Sequence, residues 1–148
     1  MSDISIRTQG RAGRITLTRP HALNAMTYAM CTAIEDALDG WATDDDVALV
    51  IIDAEGDKAF CAGGDIADLY ETGRAGDFAY GQRFWADEYR LNARIAEYPK
   101  PYVAFMQGFT MAAAWAFRVT ARTASCVRAA RLPCPNVASG LFRMWAAR

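Results

Sequence analysis

The sequence has one histidine, four cysteines and no apolar run long enough for a membrane helix. Each scarcity excludes something. A membrane-spanning helix needs about 18 or more consecutive apolar residues, so none is expected. Cys31, Cys61, Cys126 and Cys134 include no Cys-x-x-Cys pair and have no histidine beside them, which leaves a zinc site without support. Met1 to Gly10 is polar and lacks the apolar core of a secretory signal, so free thiols in a cytoplasmic protein are the expectation. The single histidine, His21, follows Arg19-Pro20 in a turn-like stretch. Its ordinary pKa suits proton transfer, but nothing in the sequence places it in a site. No metal site is expected.

Acidic residues are missing from one part of the chain. All 17 lie in residues 1–111, against 10 basic ones, which leaves −7 there. Residues 112–148 hold 6 Arg and no Asp, Glu or Lys, which leaves +6. At ordinary composition, 37 acid-free residues arise about once in a hundred such stretches. The formal net charge of −1 therefore averages two unlike parts. We divide the chain into a core, 1–111, and an Ala/Arg-rich tail, 112–148. With 53% hydrophobic and 22% charged residues over 148, the chain as a whole reads as one folded domain.

Within the core, Ile4 to Thr8 and Arg14 to Thr18 alternate apolar and polar residues, with Gly10 to Gly13 between them, which predicts a hairpin ended by Pro20. Thr27 can cap a helix whose apolar face is Met30, Ile34, Leu38 and Trp41, with Gly40 as its stop. Val47 to Ile52 is a continuous apolar run, the signature of a strand buried on both faces. A buried strand then enters Phe60-Cys61-Ala62-Gly63-Gly64-Asp65, followed by a helix from Ile66 to about Glu71. Asp77 can cap a long helix through Phe84, Leu91 and Ile95 to Tyr98, ended by Pro99 and Pro101. Residues 101–106 form a last strand, closed by Gly108. Strand, helix, strand, helix, strand predicts an α/β fold. In the tail, Ala112 to Phe117 has helical propensity, but the rest shows no period of 3.6 or 2.0.

The glycine pair carries the chemistry. Gly63 and Gly64 let backbone approach a ligand with no Cβ in the way. Amides at the start of the following helix point outward with partial positive charge, a geometry suited to an anion or a developing oxyanion. A tight strand-to-helix connection with no ligand is the competing reading of these residues alone.

Three blocks then occur in one order: Ile15 to Met26, Lys58 to Asp65, and Lys100 to Met111. Together they resemble the crotonase (enoyl-CoA hydratase/isomerase) superfamily over residues 4–111. Ala-Phe-Cys-Ala-Gly-Gly-Asp-Ile and the Asp87 to Asn92 block are most similar to the 3-hydroxyisobutyryl-CoA hydrolase branch. The resemblance implies the N-terminal portion of a crotonase-like ββα spiral fold with an irregular or poorly ordered tail. It implies an acyl-CoA substrate whose coenzyme A is part of the substrate and no separate cofactor, and hydrolysis of a short-chain 3-hydroxyacyl thioester as in valine catabolism. A homo-oligomer is compatible with it; nucleic acid and membrane partners are not expected. The Gly64 amide is implied as one oxyanion donor, and Gly63, Asp65 and Glu88 as substrate contacts. The second donor falls at Ala113, the middle of Ala112-Ala113-Ala114, where the family has three glycines. An alanine amide can still donate.

Beyond that point the family uses a glutamate and an aspartate, and the tail contains neither. Restoring one G after the Met111 codon, with synonymous codons chosen, turns Ala-Ala-Ala-Trp-Ala-Phe-Arg into Gly-Gly-Gly-Val-Gly-Val-Ser, the family's text. The expectation is a truncated enzyme whose tail is read out of frame, with impaired hydrolysis. Two other readings remain: a hydratase or isomerase of the same superfamily, and a non-catalytic module whose arginines bind a polyanion. Aromatic stacking partners in the tail are few and unpatterned, which weakens the last.

Overall fold

A computed structural model of the chain describes residues 2–111 and, for the backbone alone, 126–131. The predicted hairpin is β1 (Ile4–Gln9) and β2 (Ala12–Leu17), antiparallel with Ile4 opposite Leu17. Gly10, at φ +59, takes the left-handed turn position. A short 3-10 turn, Pro20–Ala22, follows. Helix α1 (Tyr28–Ala42) begins where Thr27 accepts a hydrogen bond from the Met30 amide, and it buries Met30, Cys31, Ile34, Leu38 and Trp41 as its spacing predicts. Gly40 does not stop it. The backbone there stays helical and the helix runs two residues further.

Strand β3 (Leu49–Ala54) lies parallel to β2, and β4 (Ala59–Cys61) is short and wholly buried. Helix α2 (Ile66–Arg74) outlasts its expected end at Glu71 and passes through Gly73. Helix α3 (Phe78–Ala96) starts at the Asp77 cap, which accepts from the Tyr80 amide. Strand β5 (Tyr102–Thr110) is longer than expected and continues through Gly108. Strand β6 (Cys126–Arg131), inside the tail, was not expected at all; it pairs parallel with β5. The order β1-β2-β3-β5-β4, all parallel after the first pair, confirms the α/β class. The expected helix at 112–117 lies outside the described residues.

One core joins these elements. Ile15 and Leu17 of β2, Val50 and Ile52 of β3, and Tyr102 and Ala104 of β5 meet α1 residues and Phe84, Leu91 and Ile95 of α3. Strand β3 alternates instead of being buried on both faces: Val50 and Ile52 are inside while Leu49 and Ile51 are half-buried. Helices α1 and α3 cover one face, and a parallel sheet normally requires cover on the second as well. Among the described residues, no helix is long and apolar enough to cross a membrane.

Candidate active site

The site is built where three segments meet: the loop 19–26, the turn after β4, and α3. At Gly63 the backbone takes φ +104, which a side chain would resist. That turn lays Gly64 beside Met26 as an isolated parallel bridge. Met26 donates its amide to the Gly63 carbonyl at 2.8 Å and accepts from the Asp65 amide at 2.8 Å. In a parallel bridge of this kind, the central residue's own N–H points away from its partner. The Gly64 N–H is therefore turned outward from a half-buried residue, and it donates to no acceptor among the described residues. Both features suit a donor reserved for a ligand oxygen.

A Cβ at Gly64 would stand 3.2 Å from the ring of Phe84. Phe84 lies on α3 one turn before Glu88, so the face of α3 that packs on the glycine turn also carries Glu88. Glu88 is half-buried, and burial raises its carboxyl above the ordinary 4.5. Burial pushes Cys31 to about 12 and Cys61 to about 11, and Glu88 adds to both. Cys61 is inert at such values and serves the turn instead, its Sγ accepting from the Gly63 amide at 3.4 Å.

The raised Glu88 carboxyl makes a prediction whose sign is fixed. Its neutral form suits the fold, so its contribution to stability is full below 4.5 and is lost as pH rises through the higher folded value. Glu88→Gln is therefore expected to raise the urea midpoint at neutral pH, with the gain vanishing below 4.5. An equal or lower midpoint at neutral pH would contradict the burial of this carboxyl.

Asp65 serves the local architecture. Its Oδ1 caps α2 by accepting from the Ala67 amide at 3.0 Å, and its Oδ2 accepts from Arg19 at 2.9 Å. Burial pushes its carboxyl up, but the Ala67 amide and then Arg19 outweigh this and hold it below the ordinary 3.8. Gly63, Gly64, Asp65 and Glu88 are thus brought together, while Ala113 lies outside the described residues. His21 is exposed and lines a separate cavity of about 270 Å³ with Glu55, Asp57 and Lys58. Its charge is mixed, one cation against two carboxylates. Among the described residues, no cluster of three or more His, Cys, Asp or Glu could hold a metal.

Two residues of this site had no assigned role in the sequence. Asn24 is fully buried at φ +54, and its side chain accepts from the Arg19 amide and donates to the Glu55 and Ala59 carbonyls. Arg19 joins the loop to Asp65. Both lie in the Arg-Pro-His-Ala-Leu-Asn-Ala block that carried the resemblance.

The profile of the enoyl-CoA hydratase/isomerase family matches residues 12–143, most of the chain. The chain belongs to the enoyl-CoA hydratase/isomerase family. The matched span runs past residue 111 into the acid-free tail. Among relatives of this family member, the mitochondrial 3-hydroxyisobutyryl-CoA hydrolase of Danio rerio is 40% identical over 141 residues, covering 95% of this chain and 37% of the relative. Its Homo sapiens counterpart is 36% identical, covering 95% and 36%. The chain thus spans just over a third of the length of these relatives. Among solved structures, an enoyl-CoA hydratase from Rhodobacter sphaeroides is 55% identical with a TM-score of 0.84, covering 88% of this chain and 39% of that one. A carnitinyl-CoA dehydratase from Mycobacterium thermoresistibile is 37% identical, also with a TM-score of 0.84, covering 91% and 39%.

Proposed function

We propose that the described residues hold the N-terminal half of a coenzyme A thioester site, and that its chemistry is hydrolysis of a short-chain 3-hydroxyacyl-CoA. The outward N–H of Gly64 carries this reading. Thioester hydrolysis passes through a tetrahedral oxyanion. A backbone amide already fixed by the Met26 bridge stabilises it without reorganising, and losing one such donor costs about a hundred- to a thousand-fold in rate. The burial of Glu88 on the facing helix, which raises its carboxyl, supports a role for it in holding a proton or accepting a hydrogen bond from a substrate hydroxyl. Relatives named 3-hydroxyisobutyryl-CoA hydrolase, such as that of Danio rerio, support the acyl group.

The second donor falls to the Ala113 amide by the same resemblance. The later glutamate and aspartate have no counterpart, since 112–148 is acid-free. Lacking that general acid or base, this chain is expected to turn over at least about a hundred-fold more slowly than a complete enzyme. Thiol release from 3-hydroxyisobutyryl-CoA by the 148-residue chain measures this, and ordinary enzyme rates would contradict it. The neighbouring solved enoyl-CoA hydratase favours one alternative, hydration of an enoyl-CoA; loss of enoyl absorbance without thiol release would select it. The acid-free tail is carried as family text one base out of register, a reading opposed by the family match that runs to residue 143 in the frame as given. Sequencing through codon 111 tests this, and it fails if no single-base slip restores the glycines.

A further inference from the structure

Arg19 lies beside the glycine turn but has no part in the chemistry proposed for it. Its Nη1 donates to the Ala25 carbonyl at 2.7 Å and to Asp65 Oδ2 at 2.9 Å, and its Nε stands 3.4 Å from Asp3 Oδ2. The Arg19 and Asp65 side chains are only 14% and 15% exposed, so solvent screens the pair little. Ala25 immediately precedes Met26, and Asp65 immediately follows Gly64. The guanidinium therefore spans the Met26–Gly64 bridge from outside, holding one residue on each of its two strands. Those strands come from positions about 40 apart in the chain, and the bridge itself has just two backbone hydrogen bonds. The direction of the Gly64 N–H is set by the peptide between Gly63 and Gly64. The Gly63 carbonyl of that peptide accepts from the Met26 amide, and Arg19 holds the residues that flank this contact, Ala25 and Asp65.

We propose that Arg19 is a positioning residue for the Gly64 donor: clamped between the Ala25 carbonyl and the Asp65 carboxylate, it holds the Gly64 N–H in the direction a substrate carbonyl requires. This rests on the reading of Gly64 as an oxyanion donor. Both clamp contacts come from Nη1, whose two N–H bonds diverge within the rigid guanidinium plane and so meet the two acceptors in fixed geometry. Lysine offers a single mobile nitrogen on a flexible stem. Asp65 acts with Arg19, and its capping of α2 can be separated from the pairing, since asparagine caps about as well as aspartate.

The test uses the full chain with isotope-labelled glycine, read by amide resonances. The probe is a ketone analogue of an acyl-CoA with a methylene in place of the thioester sulfur. The wild-type Gly64 proton is expected to move downfield on saturation with the probe. In Arg19→Lys and Asp65→Asn, that movement is expected to fall by more than half, with the Gly40 and Gly73 resonances unmoved. These two variants keep a side chain of similar size, so they decide the matter even if Arg19→Ala fails to fold. A full wild-type response in both would overturn the proposal. If the wild-type chain shows no response to the probe, yet the resting Gly64 resonance shifts in both variants, the clamp stands and the thioester reading falls.

Discussion

Gly108→Ala is expected to unfold the chain under conditions where the wild type is folded. Gly108 sits at φ +60 within β5, where Ala59 of β4 faces both Gly108 and Phe109. This is a bulge, and it turns the strand so that the Phe109 amide reaches the Lys58 carbonyl at 2.9 Å. An added Cβ would stand 2.1 Å from that same carbonyl oxygen and 2.4 Å from its carbon. Both are backbone atoms, so no side chain can move aside. The left-handed conformation alone costs an alanine about 1–2 kcal/mol. Displacing β4 adds the exposure of Ala59, Phe60 and Cys61, each at most 2% exposed, and burial of one large apolar side chain is worth about 2–3 kcal/mol. The sum, about 4 kcal/mol or more, is comparable with the stability of a small domain. The control has the opposite sign. Gly73, the last residue but one of α2 with nothing within 4 Å of its Cβ position, should gain at most about 0.5–1 kcal/mol as alanine. Urea unfolding followed by circular dichroism reads both, and a Gly108→Ala chain as stable as wild type would contradict the bulge.

The second large effect is at Asn24. Asn24→Ala leaves three backbone groups without partners: the Arg19 N–H and the Glu55 and Ala59 carbonyls, now bonded at 2.9, 3.0 and 2.9 Å. A stranded polar group costs about 1–3 kcal/mol when water cannot replace the lost partner, and Asn24 is 0% exposed. Alanine at φ +54 adds about 1 kcal/mol. The expected loss is about 4 kcal/mol or more by urea unfolding, and a loss under 1 kcal/mol would show that the loop is held some other way. The effect should extend to the site. Loop 19–26 carries Met26, and Met26 sets the Gly63–Gly64 turn, so folded Asn24→Ala molecules should also lose the ordered Gly64 amide.

The elements that the sequence revealed are those whose partners are near in the chain or whose burial is periodic. Thr27 and the spacing of Met30, Ile34, Leu38 and Trp41 defined α1, because a helix face repeats every three to four residues. Gly40 and Gly108 misled for one shared reason: a glycine marks backbone freedom, not a boundary. One lies in an uninterrupted helix and the other makes a bulge that lets a strand continue. Strand β6 left no signal, because Cys-Val-Arg-Ala-Ala-Arg shows neither a continuous apolar run nor a period of two.

At the site, Gly63 and Gly64 were legible as a tight turn between a strand and a helix. Arg19 and Asn24 were not. Their partners are up to 46 positions away, and half are backbone carbonyls, which any residue supplies and no sequence marks. The net charge, by contrast, gained meaning. The acidic core supplies Glu88 and Asp65, and the tail, without a single carboxylate, supplies no general acid or base.

The central claim is that the Gly64 N–H polarises a coenzyme A thioester carbonyl. Difference infrared spectroscopy of 3-hydroxyisobutyryl-CoA with an isotope-labelled carbonyl, bound to the full chain, tests it most directly. The donor predicts a shift of the carbonyl stretch to lower frequency. That shift should disappear when the Gly64 amide is replaced by a backbone ester, which deletes the N–H and little else. A bound carbonyl at its solution frequency, or a shift that survives the ester, would contradict the account.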